Sequence, residues 1–331
     1  MHRVPIVLST SSASLHEGDV ISPTLYLFFI DGLLKEVHAK HPGATLLSPM
    51  GIAESVVAAM QADDFVAVCD SAEQARAVAN TVYAYSCTWR FRLNSSKSAL
   101  MHVAAAQSQE LSESGIVWNG VSVPVVDKYR YLGLWIQNDC SWKYHCEQTL
   151  HRAEQVKKRL MPLWKNRHVC VDVKRIVLLT LIRPIVEYGS EVWWPSTSRQ
   201  IELLDKLQTD IVKCAMRCDH ENPSSLAVLA EWGLKPMHMW LEERAIEYFF
   251  KVLRMPNHRM PKVALGASWS VTGDAGCLQW QERVMGLLQK YGIVHQVAMA
   301  DGYKCKRHVK QRMAAHFGDA MTVNDDSSST L

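Results

Sequence analysis

Near residue 140 the chain changes its hydrophobic period, and this constrains the fold more than any other feature of the sequence. Before it, apolar residues come in short runs broken by Gly, Pro, Asn and Asp, the texture of strands and tight turns. After it, they recur at helical spacing over long stretches: 142–165, 172–192, 198–217, 224–232, 236–254 and 278–291. The spacing predicts an α+β half followed by an all-helical half.

Signals within the first half are local. Ser22-Pro23 reads as a helix start, Ser capping and Pro in the first turn, with "TLYLFFIDGLLKEVHAK" running on until "HPGA" stops it. Residues 71–86 read as a helix with Ala75, Val78, Ala79 and Val82 on one face. "RFRLN", "SALMHVA" and "YRYLGLWIQ" read as strands, and Asn119-Gly120 as a two-residue hairpin loop. The Pro- and Gly-rich "MPNHRMPKVALGASWSVTGDAG" is the linker candidate, and "DDSSST" reads as a disordered tail. The expected domains are 1–137, then helical 138–254, then 255–331 with linker, helices and tail.

Charge separates the halves as well. Residues 1–137 carry 9 Lys/Arg against 12 Asp/Glu, and 138–331 carry 27 against 21. Residues 143–175 alone hold 9 Lys/Arg and 3 Asp/Glu, a stretch suited either to a polyanion or to a solvated helix face. Nine scattered cysteines suit a reducing compartment, and the N-terminal apolar run is too short for a signal peptide. Charges interrupt "LYLFFIDGLL" and "IVLLTLIRPIVEYG" well short of a membrane span. The expectation is an intracellular protein, nuclear or cytoplasmic.

Between the apolar runs Val56–Met60 and Phe65–Cys69 lie two adjacent aspartates, Asp63 and Asp64. A β-hairpin is the simplest reading, although a two-residue loop prefers Gly or Asn because of its positive φ. Neighbouring carboxylates repel unless a cation lies between them, and hard oxygen ligands of this kind hold Mg²⁺. Alone, the pair is better explained by a turn.

Its flanking motifs, in order, resemble the palm of reverse transcriptases, specifically those of non-LTR (LINE-type) retrotransposons. Gly18, Asp19, Ser22 and Pro23 match the family's loop and helix start; Ala62, Asp63 and Asp64 its Ala-Asp-Asp; Leu93, Asn94 and Lys97 its Leu-Asn-x-x-Lys; Tyr131, Leu132 and Gly133 its Tyr-Leu-Gly. "LLTLIRPIVEYGSEVWW" is loosely similar to the helical region that follows the palm. The resemblance implies a partial α+β palm, the C-terminal part of the polymerase from the Gly loop onward, with thumb-like helices after it. It implies two-metal nucleotidyl transfer using Mg²⁺, an RNA template, a DNA primer and deoxynucleoside triphosphates. Asp63 and Asp64 would hold metal, Lys97 would serve the triphosphate as charge or proton donor, and Gly18, Asp19, Ser22 and Pro23 would line the nucleotide pocket. Tyr131, Leu132 and Gly133 would meet the primer terminus. Arg152, Lys157, Lys158, Arg159, Lys165 and Arg167 would contact template–primer phosphates.

Three departures from the family pattern stand out. Gln61 replaces the usual Tyr, and Glu17 the usual Gln. Residues 1–16 contain no Asp or Glu, so the family's further metal-binding aspartate and the fingers before it are not in this chain. The expectation is a truncated polymerase, inactive or nearly so by itself, since electrostatic preorganisation carries most of such catalysis. A missing N-terminal half could come from another polypeptide. The runner-up is a non-catalytic nucleic-acid-binding remnant; a structural protein with an ordinary Asp-Asp turn fits the ordered motifs least.

Other clusters carry less. Cys214, Cys218 and His220 lack the second ligand pair of a zinc site. Trp193 and Trp194 suit a helical core better than a base-stacking platform. "KCKRHVKQR" at 304–312 is a nucleic-acid contact or a solvated helix.

Overall fold

The computed structural model describes residues 4–11, 21–47, 53–103, 115–194, 197–218, 221, 223–268, 280–293 and 306–318, with backbone alone at 4–11, 22–23, 44–47 and 53–56. The chain forms two compact units, Met1–Ser141 with Gly266–Cys277, and Trp142–Leu265 with Leu278–Leu331.

The first unit is mixed α and β. Its strands are β1 Val4–Ser11, β2 Ala44–Leu47, β3 Ala53–Val56, β4 Ala58–Gln61, β5 Asp64–Cys69, β6 Arg92–Leu93, β7 Ala99–Leu100, β8 Val117–Trp118, β9 Val121–Ser122, β10 Lys128–Tyr131 and β11 Leu134–Gln137. The main sheet runs β4-β5-β1-β6, with β7 also on β1, and each of these pairings is antiparallel. Along β5 burial alternates, so Phe65, Ala67 and Cys69 enter the core while Asp64, Val66 and Val68 turn the other way. Helix α1 (Ser22–Lys40) meets that core with Ile30, Leu33 and Val37, and α2 (Ala72–Trp89) with Ala75, Val78, Ala79 and Val82. The i, i+3, i+4, i+7 spacing of these residues makes one stripe on each helix.

Local chemistry sets the ends. Ser71 Oγ accepts from the Gln74 N–H at 3.1 Å, and Arg90 closes α2 in the left-handed conformation at φ 57°. At α1 the N-cap is Ile21, one residue earlier than expected: Ser22 is already helical and Pro23 sits in the first turn. Asn119 and Gly120 take φ 50° and 77° between β8 and β9, as an Asn-Gly loop should.

"YRYLGLWIQ" departs from its expected single strand. It is a hairpin, β10 against β11, turned by Leu132 and Gly133 at φ 46° and 83°.

Among its described residues the second unit is helical: α3 Lys143–Arg159, α4 Met161–Lys165, α5 Val171–Val177, α6 Arg183–Glu187, α7 Ser198–Met216, α8 Ser225–Glu231, α9 Met237–Leu253, α10 Met260–Ser268, α11 Trp280–Lys290 and α12, residues 306–318. Ser268 and two neighbours at the end of α10 belong to the first unit. The linker candidate therefore carries a helix. Between α5 and α6, Leu178–Ile182 widens to a π-turn, and the Arg183 N–H donates to Leu178 O. Pro184 explains it, because it has no N–H to donate and its ring presses on the carbonyl a turn earlier. The helix expected to reach residue 192 ends at Glu187. Thr197 and Gln200 form a capping box at α7. Trp193 and Trp194 are buried, so they pack and do not stack bases. "DDSSST" lies outside the described residues.

Candidate active site

The β4–β5 hairpin pairs Gln61 with Asp64, which leaves Ala62 and Asp63 as the loop. The turn is therefore Ala-Asp, where an Asp-Asp loop was expected. Ala62 takes the positive φ, 53°. Asp63 stands exposed at the tip, and Asp64 begins β5, half-buried on the face opposite Phe65. Burial, then the neighbouring Asp63 carboxylate, pushes the Asp64 carboxyl above its usual range, while Lys97 pulls it back.

Lys97 reaches this place through a short turn. The Asn94 side chain accepts the Lys97 N–H at 3.2 Å and the Ser96 hydroxyl at 2.7 Å, while Asn94 O accepts from Ser98 Oγ at 2.8 Å. Leu93 anchors the turn in the core. The Leu-Asn-x-x-Lys spacing thus has a physical cause: a buried apolar residue, an Asx turn, and a lysine projected beyond it.

The third wall is the β10–β11 hairpin. The Tyr129 hydroxyl donates to Lys97 O, tying this hairpin to the lysine turn. Burial, then Asp64, raises the phenol pKa of both Tyr129 and Tyr131. Together these walls enclose an open cleft of about 580 Å³, lined among others by Asp63, Asp64, Lys97, Lys128, Tyr129 and Arg130. Residues 30 to 70 positions apart in sequence thus converge on one space of the size small-molecule sites occupy.

Residues 8–136 match the family model described as reverse transcriptase (RNA-dependent DNA polymerase). No curated protein matches the chain. The reverse-transcriptase match runs from the second half of β1 through most of β11 and contains all three walls of the cleft. It supports a reverse-transcriptase-like polymerase region of α+β type in the first unit.

The remaining site candidates distribute as follows. Ser22 and Pro23 begin α1; Gly18 and Asp19 lie outside the described residues. Tyr131 ends β10, whose other residues line the cleft, and Leu132 and Gly133 form the turn after it. In the second unit Arg152, Lys158, Arg159, Lys165 and Arg167 are exposed. Lys157 differs from these in being ion-paired, its Nζ lying 3.2 Å from both Glu154 and Asp210. Cys214 Sγ lies 3.8 Å from Met161 Sδ, and Cys218 Sγ 3.7 Å from Lys213 O. His220 lies outside the described residues.

Sequence reasoning missed Tyr129, Lys128, Arg130 and Trp135 as cleft residues. The available signal was the alternation of cationic and aromatic residues in "KYRY", with Tyr129 and Tyr131 two apart on one strand face.

Asp63 and Asp64 fit a hard divalent cation in donor chemistry: two carboxylates side by side, one of them disfavoured as an anion until a cation offsets it. Among the described residues no group of three or more His, Cys, Asp or Glu is placed to hold a metal, and no helix is long and apolar enough to cross a membrane.

Proposed function

We propose that the chain is the C-terminal part of a non-LTR-type reverse transcriptase: a partial palm over residues 1–137, a thumb-like helical region over 138–254, and a linker with further helices over 255–331. Its ancestral reaction is template-directed addition of deoxynucleotides to a DNA primer on RNA. The carrying observation is the convergence of Asp63, Asp64 and Lys97 on one cleft.

In this reading Asp63 and Asp64 would hold Mg²⁺, and the ion would supply activation of the attacking oxygen and charge neutralisation at the leaving group. Lys97 offers its ammonium to the triphosphate, its position held by the Asn94 turn and Tyr129. The loop of Gly18 and Asp19 and the α1 start at Ser22 and Pro23 line the nucleotide pocket, where free N–H groups suit phosphate. Tyr131, Leu132 and Gly133 abut the primer end. Arg152, Lys158, Arg159, Lys165 and Arg167 supply the phosphate contacts of template and primer.

A second reading, a nucleic-acid-binding remnant without catalysis, draws on one observation. The strand beside the aspartate hairpin is β1, which sets Ser9 opposite Asp64, and Val4–Ser11 contains no carboxylate. Lacking a third ligand there, the chain alone is expected to lose several kcal/mol of transition-state stabilisation.

Primer extension with Mg²⁺ or Mn²⁺, comparing the chain with Asp63→Ala/Asp64→Ala, separates the two. Salt-sensitive primer–template binding without incorporation supports the second reading. Robust incorporation abolished by the double substitution establishes the first as a complete activity.

A further inference from the structure

A second cleft, of about 440 Å³, lies wholly in the helical unit and takes no part in the reaction above. Three segments build it: the turn after α8, the first turns of α9, and α12. Ala230 and Leu234 form one wall, Trp240 another, and Ala314 with Phe317 a third. On α12, Val309 and Met313 face the core, which leaves Lys310, Ala314 and Phe317, at i, i+4 and i+7, to line the cleft.

The polar groups are few and placed at defined points. Lys235 and Glu243 form an ion pair within the lining, both largely shielded from solvent. Arg183 lies 3.5 Å from the centroid of the Trp240 ring and Lys235 4.1 Å, so cations already occupy that ring. Arg183 is itself paired with Glu187. Lys310 is exposed at the rim, and among the described residues no carboxylate lies within ion-pairing distance of it.

That leaves an imbalance. Burial lowers the Lys235 pKa; Glu243 supports its charge, but Arg183 and Lys310 oppose it. Glu243 is thus taken up by Lys235, and Lys310 adds a further ammonium at the rim of an apolar wall. An anion at the rim would relieve their repulsion, and an apolar body attached to it would cover Leu234, Ala314 and Phe317. Lys306, one turn before Lys310, is paired with Glu247 at 3.8 Å and lies outside this cleft, which leaves Lys310 as its rim cation. Apolar walls with an aromatic ring, and a cation at the rim, suit a flat ring carrying an anionic group.

We propose that this cleft binds one nucleotide, its base against Leu234 and Phe317 and its phosphate at Lys310. Base–aromatic stacking tolerates any base, and the Lys235–Glu243 pair presents both a donor and an acceptor to a base edge. The nucleotide is either a free mononucleotide or one residue of a single strand. This site is independent of the carboxylates in the first unit.

Photo-cross-linking of the full chain tests it, using 4-thiouridine 5′-monophosphate and a single-stranded oligoribonucleotide carrying one 4-thiouridine. Labelling is expected on peptides from 230–243 or 306–318. Lys310→Glu is expected to weaken half-saturation about tenfold, the loss of one charge-assisted contact, with Lys310→Arg close to the parent. Phe317→Ala should lower the yield, and Asp63→Asn/Asp64→Asn should leave it unchanged. Labelling by both probes, competed by unmodified mononucleotide, supports a free nucleotide as ligand; labelling by the oligonucleotide alone supports a strand. No labelling of either segment, or labelling insensitive to Lys310→Glu, overturns the proposal. Loss of labelling in the aspartate double variant overturns its independence from the first site.

Discussion

The hydroxyl of Tyr129 donates a hydrogen bond to the backbone carbonyl of Lys97, 32 residues earlier in the chain. It links the β10–β11 hairpin directly to the turn that projects Lys97 toward Asp64. Tyr129→Phe keeps the ring and removes the donor. Denaturant unfolding of this variant is expected to show about 1 kcal/mol less stability, the net worth of an ordinary hydrogen bond. Amide exchange at residues 95–98 should accelerate with it; an unchanged exchange rate would mean the turn holds itself.

The Asp64 carboxyl titrates above its ordinary value because of burial and then Asp63. A raised folded-state pKa means that the folded form holds its proton more tightly than the unfolded chain. The associated stability is present below the unfolded value near 3.8 and is lost as pH rises through the folded one. Asp64→Asn should therefore be more stable than the parent at neutral pH, with the difference closing in acid. A gain that persists unchanged at low pH would point to a cause other than ionisation.

Divalent cation should act on the same pair. Millimolar Mn²⁺ or Mg²⁺ is expected to raise the melting temperature of the parent chain, since a ligand bound only by the folded form stabilises it. Asp63→Ala/Asp64→Ala should show no such rise. Equal shifts in the two proteins would place the bound cation elsewhere.

Ala62 holds φ 53° in the hairpin loop, a conformation that costs a residue with a Cβ about 1 kcal/mol. Ala62→Gly should remove that cost, offset in part by the greater entropy of glycine in the unfolded chain. Thermal unfolding is expected to show a small gain, and a loss would contradict the turn assignment.

Exposed and internally paired cations of α3 should separate in a salt titration of nucleic-acid binding. Arg159→Ala is expected to reduce the slope of log K against log salt by about one phosphate contact. Lys157→Ala should leave the slope alone and lower stability instead, because it unpairs Glu154 and Asp210. A reduced slope for Lys157→Ala would show that its ion pairs open on binding.

Much of the fold could be read locally. The helical stripe of Ala75, Val78, Ala79 and Val82, the Asn119-Gly120 loop and the change of texture near residue 140 each depend on neighbours within a few positions, where periodicity and φ preferences act directly. Two departures come where a turn lacks its usual residue. Leu132 takes a positive φ that its side chain disfavours, so a hairpin resembled one strand, and the Ala62-Asp63 loop was displaced by one residue for the same reason.

By itself the sequence determined which chemistry was available: two adjacent carboxylates, a lysine set on an asparagine turn, and an excess of cations in 143–175. Tertiary structure decided which of these groups meet and which are already committed. It joined Tyr129 to Lys97, set Ser9 across from Asp64, withdrew Lys157 into ion pairs and brought Lys310 beside the apolar wall of the second cleft. Strand pairing and side-chain partnering depend on residues distant along the chain, and no local period or turn preference encodes which distant partner wins.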